Sequence, residues 1–344
     1  MLKQAFLATC LAGVIISVPA VAGQWEPNAF DINRLMGHGI NFGNALEAPK
    51  EGEWGVTIKV QYFNIAREAD FNNFRIPICW SAHALAEKPY TIDPNFFKRV
   101  DWVLDMAMER EAIVIATMHH YNELYKDPAG HRERFLAIWK QIAERYKGWP
   151  LSLVFEPLNE PHDNLNAAEW NKLLKDVHTV IRQSNPKRTL IFGPANYNDI
   201  RMLNTLELPE SDGNIIATAH YYLPYNFTHQ GAHWAADSNS WLGTKWEGTD
   251  SEKEMIKKDF DAAATWAKKN NRPFFIGEFG AIDKADMDSR VRWTKFVTDT
   301  AAEHGFSYAY WDYCGPYFGI YDPNNFRSCN KALLDAVIPP KKAH

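Results

Sequence analysis

At 344 residues, with 46% hydrophobic and 23% charged side chains, the chain has room for two ordinary domains or one large barrel, and enough apolar mass for a sizeable core. A formal net charge of −5 with no basic run excludes an electrostatic footprint for nucleic acid or an anionic membrane surface. The 13 tryptophans, 14 tyrosines and 20 phenylalanines exceed what a core alone accommodates, and several fall in polar loops.

Residues 1–22 read as an export leader. Lys3 supplies the positive start, Ala5 to Val18 the apolar stretch, and Ala20-Val21-Ala22 the small-residue cleavage site. The mature chain is then expected to be one catalytic domain, residues 23–344, in an extracellular or periplasmic compartment. No later stretch approaches the ~20 apolar residues that a membrane span needs. Cys79, after Ile76-Pro77-Ile78, reads as a small buried hydrophobe. Whether Cys314 and Cys329 pair in that oxidising compartment is left open.

From there strands and helices alternate. Gly37 to Asn44 is expected to be a strand and Thr57 to Ala69 a helix, followed by the strand Phe74 to Ile78. Asp93 and Pro94 open a helix with Phe97, Val100, Leu104 and Met108 on one face. Ala112 to Met118 is a continuous apolar strand ending in His119-His120, and a helix from Arg132 to Tyr146 follows. Leu151 to Phe155 is a buried strand stopped by Pro157 and Pro161, which remove backbone donors and turn Asn159 and Glu160 outward. Asn166 and Glu169 cap the next helix; Thr189 to Phe192 and Ile215 to Ala219 are strands, the second leading into His220-Tyr221-Tyr222. Ser251 and Glu254 form a capping box for a helix reaching Lys269. Phe274 to Ile276 is a strand ending at Glu278, and a helix from Ser289 to His304 leads to a last strand, Tyr308 to Trp311. A short helix, Lys331 to Val337, closes the chain.

Eight apolar strands alternating with helices predict an α/β fold, a single (β/α)8 TIM barrel with parallel pairing and both sheet faces covered. In such barrels chemistry sits at the C-terminal strand ends. Here those ends read Arg75, His119-His120, Asn159-Glu160, His220 and Tyr222, Glu278, and Trp311.

Glu160 and Glu278, offered from the fourth and seventh strands, are what glycosidic hydrolysis with retention requires: one acid to protonate the leaving oxygen, one carboxylate to attack the anomeric carbon. Their pKa values must be set apart. Arg75 is suited to hold a carboxylate ionised, Tyr222 to donate its hydroxyl to one, and Asn159 to meet a sugar 2-hydroxyl. His119, His120 and His220 lack the tight spacing of a metal site, so sugar-contacting or carboxylate-orienting roles are expected, with no metal and no cofactor. Trp80, Tyr121, Tyr125, Trp234, Trp241 and Trp246 lie in loops, where packing under a loop competes with stacking on a sugar face; Trp311, capping the last strand, fits the second use. Asn226-Phe227-Thr228 is a chance-level glycosylation sequon.

With those residues placed, the sequence resembles glycoside hydrolase family 5, the cellulase family of retaining (β/α)8 hydrolases, from Asn28 to Pro339. The most specific runs are Asn159-Glu160-Pro161 and Gly277-Glu278-Phe279-Gly280. The resemblance implies Glu160 as acid/base and Glu278 as nucleophile, with Arg75, His119 and His120, His220 and Tyr222, and Trp311 at the family's matching strand ends. It implies an endo-acting β-1,4-glucanase, alternatively a β-mannanase or another β-glucanase. The substrate would be a polysaccharide or oligosaccharide, with no nucleic-acid or membrane partner, and the protein is expected to be a monomer. A silent sugar-binding protein on the same scaffold and a zinc-dependent hydrolase are the rival classes.

Overall fold

The apolar runs close on themselves. In the computed structural model, which describes residues 26–325 and 327–338, the strands are β1 (His38–Asn41), β2 (Asn73–Ile78), β3 (Ile113–Met118), β4 (Leu153–Glu156), β5 (Leu190–Phe192), β6 (Ile215–Tyr221), β7 (Phe274–Phe279) and β8 (Ser307–Tyr310). They pair in chain order, all parallel, and β8 returns to β1 to complete a barrel. The helices are α1 (Ala29–Met36), α2 (Val60–Glu68), α3 (Pro94–Met108), α4 (Asn122–Lys126), α5 (Pro128–Tyr146), α6 (Ala167–Arg182), α7 (Tyr225–Thr228), α8 (Asp250–Lys269), α9 (Met287–Glu303) and α10 (Lys331–Val337). The β5–β6 connection carries a 3-10 turn, Ile200–Thr205, in place of an α-helix. The leader assigned to residues 1–22 lies outside the described residues.

Side chains alternate across each strand, as a period of two demands. Val114, Ala116, Leu153, Phe155, Leu190, Phe192, Phe274 and Ile276 face the helices. Ile113, Ile115, Val154, Ile191, Ile216 and Phe275 face inward, where Ala29, Ile32 and Met36 of α1 join them. Helix α1 therefore plugs the floor of the barrel. It was not expected, although its signals are in the chain: Asn28 accepts from the Phe30 and Asp31 amides while Asp31 answers the Asn28 amide, a capping box with Asp in place of Glu.

Above that apolar floor the inward positions turn polar: Asn41, Arg75, Glu156, Thr218 and His220 are all buried. Strict alternation would send Glu278 outward with Phe274 and Ile276. It points inward because the β6–β7 register slips between Ala219 and His220: Ala219 pairs with Ile276 and His220 with Glu278, leaving Gly277 as an extra residue. A Cβ at Gly277 would stand 2.9 Å from Thr218 Oγ1 and 3.1 Å from His220 Nε2, so the bulge needs glycine there. This one irregularity turns Glu278 into the mouth.

Two expectations are corrected at helix starts. Helix α8 is capped by Thr249 with Glu252, not by Ser251 with Glu254, two residues inside the first turn. Helix α5 begins at Pro128 under Asp127, ahead of Arg132. Cys314 and Cys329 stand as separate thiols; Cys314 is buried and turned to the Tyr62 hydroxyl. Cys79 is buried, as the sequence implies. Thr228 of the sequon is buried too, its hydroxyl donating to the Tyr222 carbonyl at 2.5 Å.

Candidate active site

Arg75, in the middle of β2, sits wholly buried inside the barrel, where an unpaired charge would cost several kcal/mol. All five of its N–H groups are taken. Nε and Nη2 donate to Glu156 at 2.6 and 3.0 Å, Nη1 to Asn41 Oδ1 at 2.9 Å and Glu278 Oε1 at 2.6 Å, and Nη2 to Asn159 Oδ1 at 2.7 Å. Asn41 is held in turn by donating to the carbonyls of Gly277, Ala309 and Tyr310. One guanidinium thus fixes the Glu278 carboxylate and the Asn159 amide next to Glu160.

Glu160 lies four residues past β4. Its φ of 45° is a left-handed conformation that a glutamate seldom adopts, and it is held between Pro161 and a 2.6 Å contact of the Glu160 carbonyl with His162 Nδ1. His220 Nδ1 meets Glu160 Oε1 at 2.6 Å, and Asn198 Nδ2 donates to His220 Nε2 at 3.3 Å. This network assigns the imidazole proton to Nδ1, donating to Glu160. Burial pushes His220 down to about 4, so the ring is neutral. Tyr222 donates to Glu278 Oε2 at 3.1 Å. Facing atoms of Glu160, His220 and Glu278 lie within 4.8 Å of one another, and among the described residues they form the one such group suited by donor type to a cation.

The two carboxyls keep different company. Burial raises Glu160 to about 7, with no cation in direct contact to oppose it. Burial raises Glu278 as well, but Arg75 bonds to it directly and favours its anion. Glu160 is therefore the better proton holder of the two. Its Oε1 is occupied by His220, which leaves Oε2 for the cleft.

His119 stacks on Trp311 with ring centres 5.8 Å apart and planes at 13°, and its Nε2 accepts from Asn159 Nδ2 at 3.3 Å. Burial keeps His119 well below its ordinary value and lowers His120 to about 4, so both are neutral hydrogen-bonding rings. Trp311, half-buried, forms part of the cleft wall, which encloses about 1150 Å³. All nine residues singled out in the sequence converge at this mouth: Glu160, Glu278, Arg75, Asn159, His220, Tyr222, His119, His120 and Trp311. Of the six loop aromatics named from the sequence, Trp234 lines the cleft, whereas Trp80, Tyr121, Tyr125 and Trp246 are buried packing.

Sequence reasoning missed several participants. Glu156 was legible as the acid closing the Leu153-Val154-Phe155 run, but nothing local reveals that it shares Arg75. Glu47 accepts from the Asn44 and Ala45 amides, and Asp312 accepts from Asn44 Nδ2 at 2.6 Å and the Gly315 amide at 3.1 Å. These two buried acids tie the β1 loop to the β8 loop. Trp54 and Tyr197 also line the cleft.

A parallel barrel carrying two facing carboxyls on its fourth and seventh strand ends is the architecture of a glycoside hydrolase. The family profile described as Cellulase (glycosyl hydrolase family 5) matches residues 37–316, and the chain belongs to that family. It is 37% identical over 330 residues to Endoglucanase H of Acetivibrio thermocellus, covering 94% of this chain but 35% of that protein. It likewise covers 40% of the Cellulase/esterase CelE of the same organism, so it spans well under half the length of these two curated relatives. The endoglucanase Cel5A of Thermotoga maritima is 49% identical, with a TM-score of 0.88 over 91% of this chain and 100% of that one. The cellulose synthase subunit Z of Clostridioides difficile is 40% identical, with a TM-score of 0.85 over 88% and 99%.

Proposed function

We propose that this chain hydrolyses internal β-1,4-glucosidic bonds with retention of configuration, Glu278 acting as nucleophile and Glu160 as acid/base. The observation that carries this reading is the unequal pair: Glu278 bonded to Arg75 at 2.6 Å, and Glu160, raised to about 7, bonded instead to the neutral His220. Carboxyl oxygens within 4.8 Å of each other suit the closely spaced pair of retaining enzymes, ~5 to 5.5 Å, and not the ~6.5 to 9.5 Å that admits a water for inversion.

In the first step Glu278 attacks the anomeric carbon while Glu160 Oε2 passes its proton to the departing glycosidic oxygen, and an ester bond to Glu278 replaces the bond to that oxygen. In the second, Glu160, now a base, takes a proton from a water that attacks the same carbon and frees Glu278. Tyr222 and Arg75 hold Glu278 in line, and Asn159, fixed by Arg75, presents its amide to the 2-hydroxyl of the ring under attack. Trp311 offers a flat face to that ring.

For substrate, the endoglucanase names of the relatives support a β-1,4-glucan. A β-mannan is the second reading, because Thermotoga maritima Cel5A has been solved with mannotriose as well as with cellobiose. We also infer export by removal of residues 1–22, leaving residues 23–344 as a monomeric catalytic unit needing no cofactor. The deciding experiment is Glu278→Gln on a panel of soluble β-glucans and mannans. Turnover should fall on the order of 10⁴-fold or more while oligosaccharide binding persists. Undiminished turnover would remove Glu278 from the mechanism, and an exported protein that still carries residues 1–22 would overturn the leader.

A further inference from the structure

Trp54 is one of few large apolar side chains left exposed, at 38%, and it lines the cleft. It is not a loose surface residue. Its loop is turned by Gly52 and Gly55, at φ of 90° and 91°, where a side chain would be strained. Glu51, three positions earlier, is clamped by Arg99 through two bonds of 2.7 Å and accepts the Ile58 amide at 2.9 Å. The indole is thus presented on a fixed support, its ring meeting His120 edge to face at 5.4 Å.

His120 in turn touches His119 at 4.4 Å, and His119 stacks on Trp311. Four rings therefore run as a row from the reacting centre outward: Trp311, His119, His120, Trp54. Tyr197 and Tyr225 line the cleft as well, and Tyr197 stacks at 4.3 Å on His162, whose Nδ1 meets the Glu160 carbonyl, so this wall belongs to Glu160. On the mechanism proposed above, the departing chain lies on the Glu160 side, so the row belongs to the part of the substrate that stays bonded to Glu278.

We propose that Trp54 is a stacking platform for a distal sugar of that retained part, the third ring counted from the bond cleaved, and that it sets the preference for long chains. Two imidazoles separate it from Trp311, which places it beyond the neighbour of the ring under attack. This inference rests on the reading of Glu160 and Glu278 above.

The test is a series of aryl β-glucosides with a fixed nitrophenyl leaving group and two, three or four glucosyl units. In the unaltered protein kcat/KM should rise on passing from two units to three. In Trp54→Ala that rise should shrink about fivefold to tenfold, through KM, while the two-unit substrate is cleaved as before. Trp54→Phe should keep most of the gain. An equal loss at every length would make Trp54 a mere support of the loop, and an unchanged rise would remove it from the cleft; either result overturns the proposal. If the unaltered protein cleaves no member of the series or any β-glucan, the underlying mechanism fails instead.

Discussion

Glu160 and Glu278 are one residue type set in two environments by their neighbours. Glu278 shares the charge of Arg75, whereas the nearest partner of Glu160 is a ring that burial has stripped of its charge. Because Glu160 is raised to about 7, its proton is present below that pH and is lost above it. In the proposed cycle kcat/KM on cello-oligosaccharides should therefore decline as pH rises through about 7. An activated aryl substrate, whose leaving group needs no proton, should show a much weaker decline. Glu160→Gln should cost the oligosaccharide about 10²–10⁴-fold and the activated substrate far less in the first step. A decline that persists unaltered in that variant would assign it to another group. At this scale the sequence was legible, because the residues that meet at the mouth are polar exceptions at the ends of apolar runs. Glu47 and Asp312 escaped notice since they sit in loops where acids are ordinary, and only the closed barrel brings both to Asn44.

Elements were easier to count than to bound. The apolar runs reveal eight strands, yet the bulge at Gly277 is invisible in a pattern that reads Phe274-Phe275-Ile276-Gly277-Glu278. Its cause is tertiary: His220 and Thr218 on β6 leave no space for a side chain. The cap of α8 was misread by two residues because Thr249/Glu252 and Ser251/Glu254 both satisfy the same spacing, and only the chain's approach to the helix decides between them. Helix α1 was passed over because its eight residues pack on the end of the barrel and not on a sheet face. Ile32, 1% exposed, is central to that contact, so Ile32→Ala should lower stability by about 2 to 5 kcal/mol. The loss should appear in the denaturant midpoint with an unchanged slope, and kcat at 25 °C should not move, since the site lies at the opposite end. A variant that keeps its midpoint but loses turnover would contradict the separation of floor and mouth.

For the molecule as a whole, the mouth holds more carboxyls than cations. Burial raises Glu47 to about 8 and Asp312 to about 7, alongside Glu160. Each keeps a proton in the folded state that the unfolded chain has already released near pH 4. Stability from these groups is complete below that pH and drains away as pH rises through 7 to 8, because the folded state then binds more protons than the unfolded one. The melting temperature should fall between pH 5 and pH 8.5, and Glu47→Gln should flatten the fall at a cost of about 1 kcal/mol for the lost amide acceptor. A flat or rising profile would mean that these acids are ionised at neutrality. The same crowding gives Glu156 a purpose. Arg75 reaches from β2 to β1, β4 and β7, so half the barrel is laced through one cation. When Glu278 is esterified in the proposed cycle, its negative charge vanishes, and a lone cation in a dry interior would draw in solvent or pull the strands out of register. Glu156 stays behind as its bonded partner, at 2.6 and 3.0 Å, so the covalent intermediate can wait for its water inside an unmoved frame.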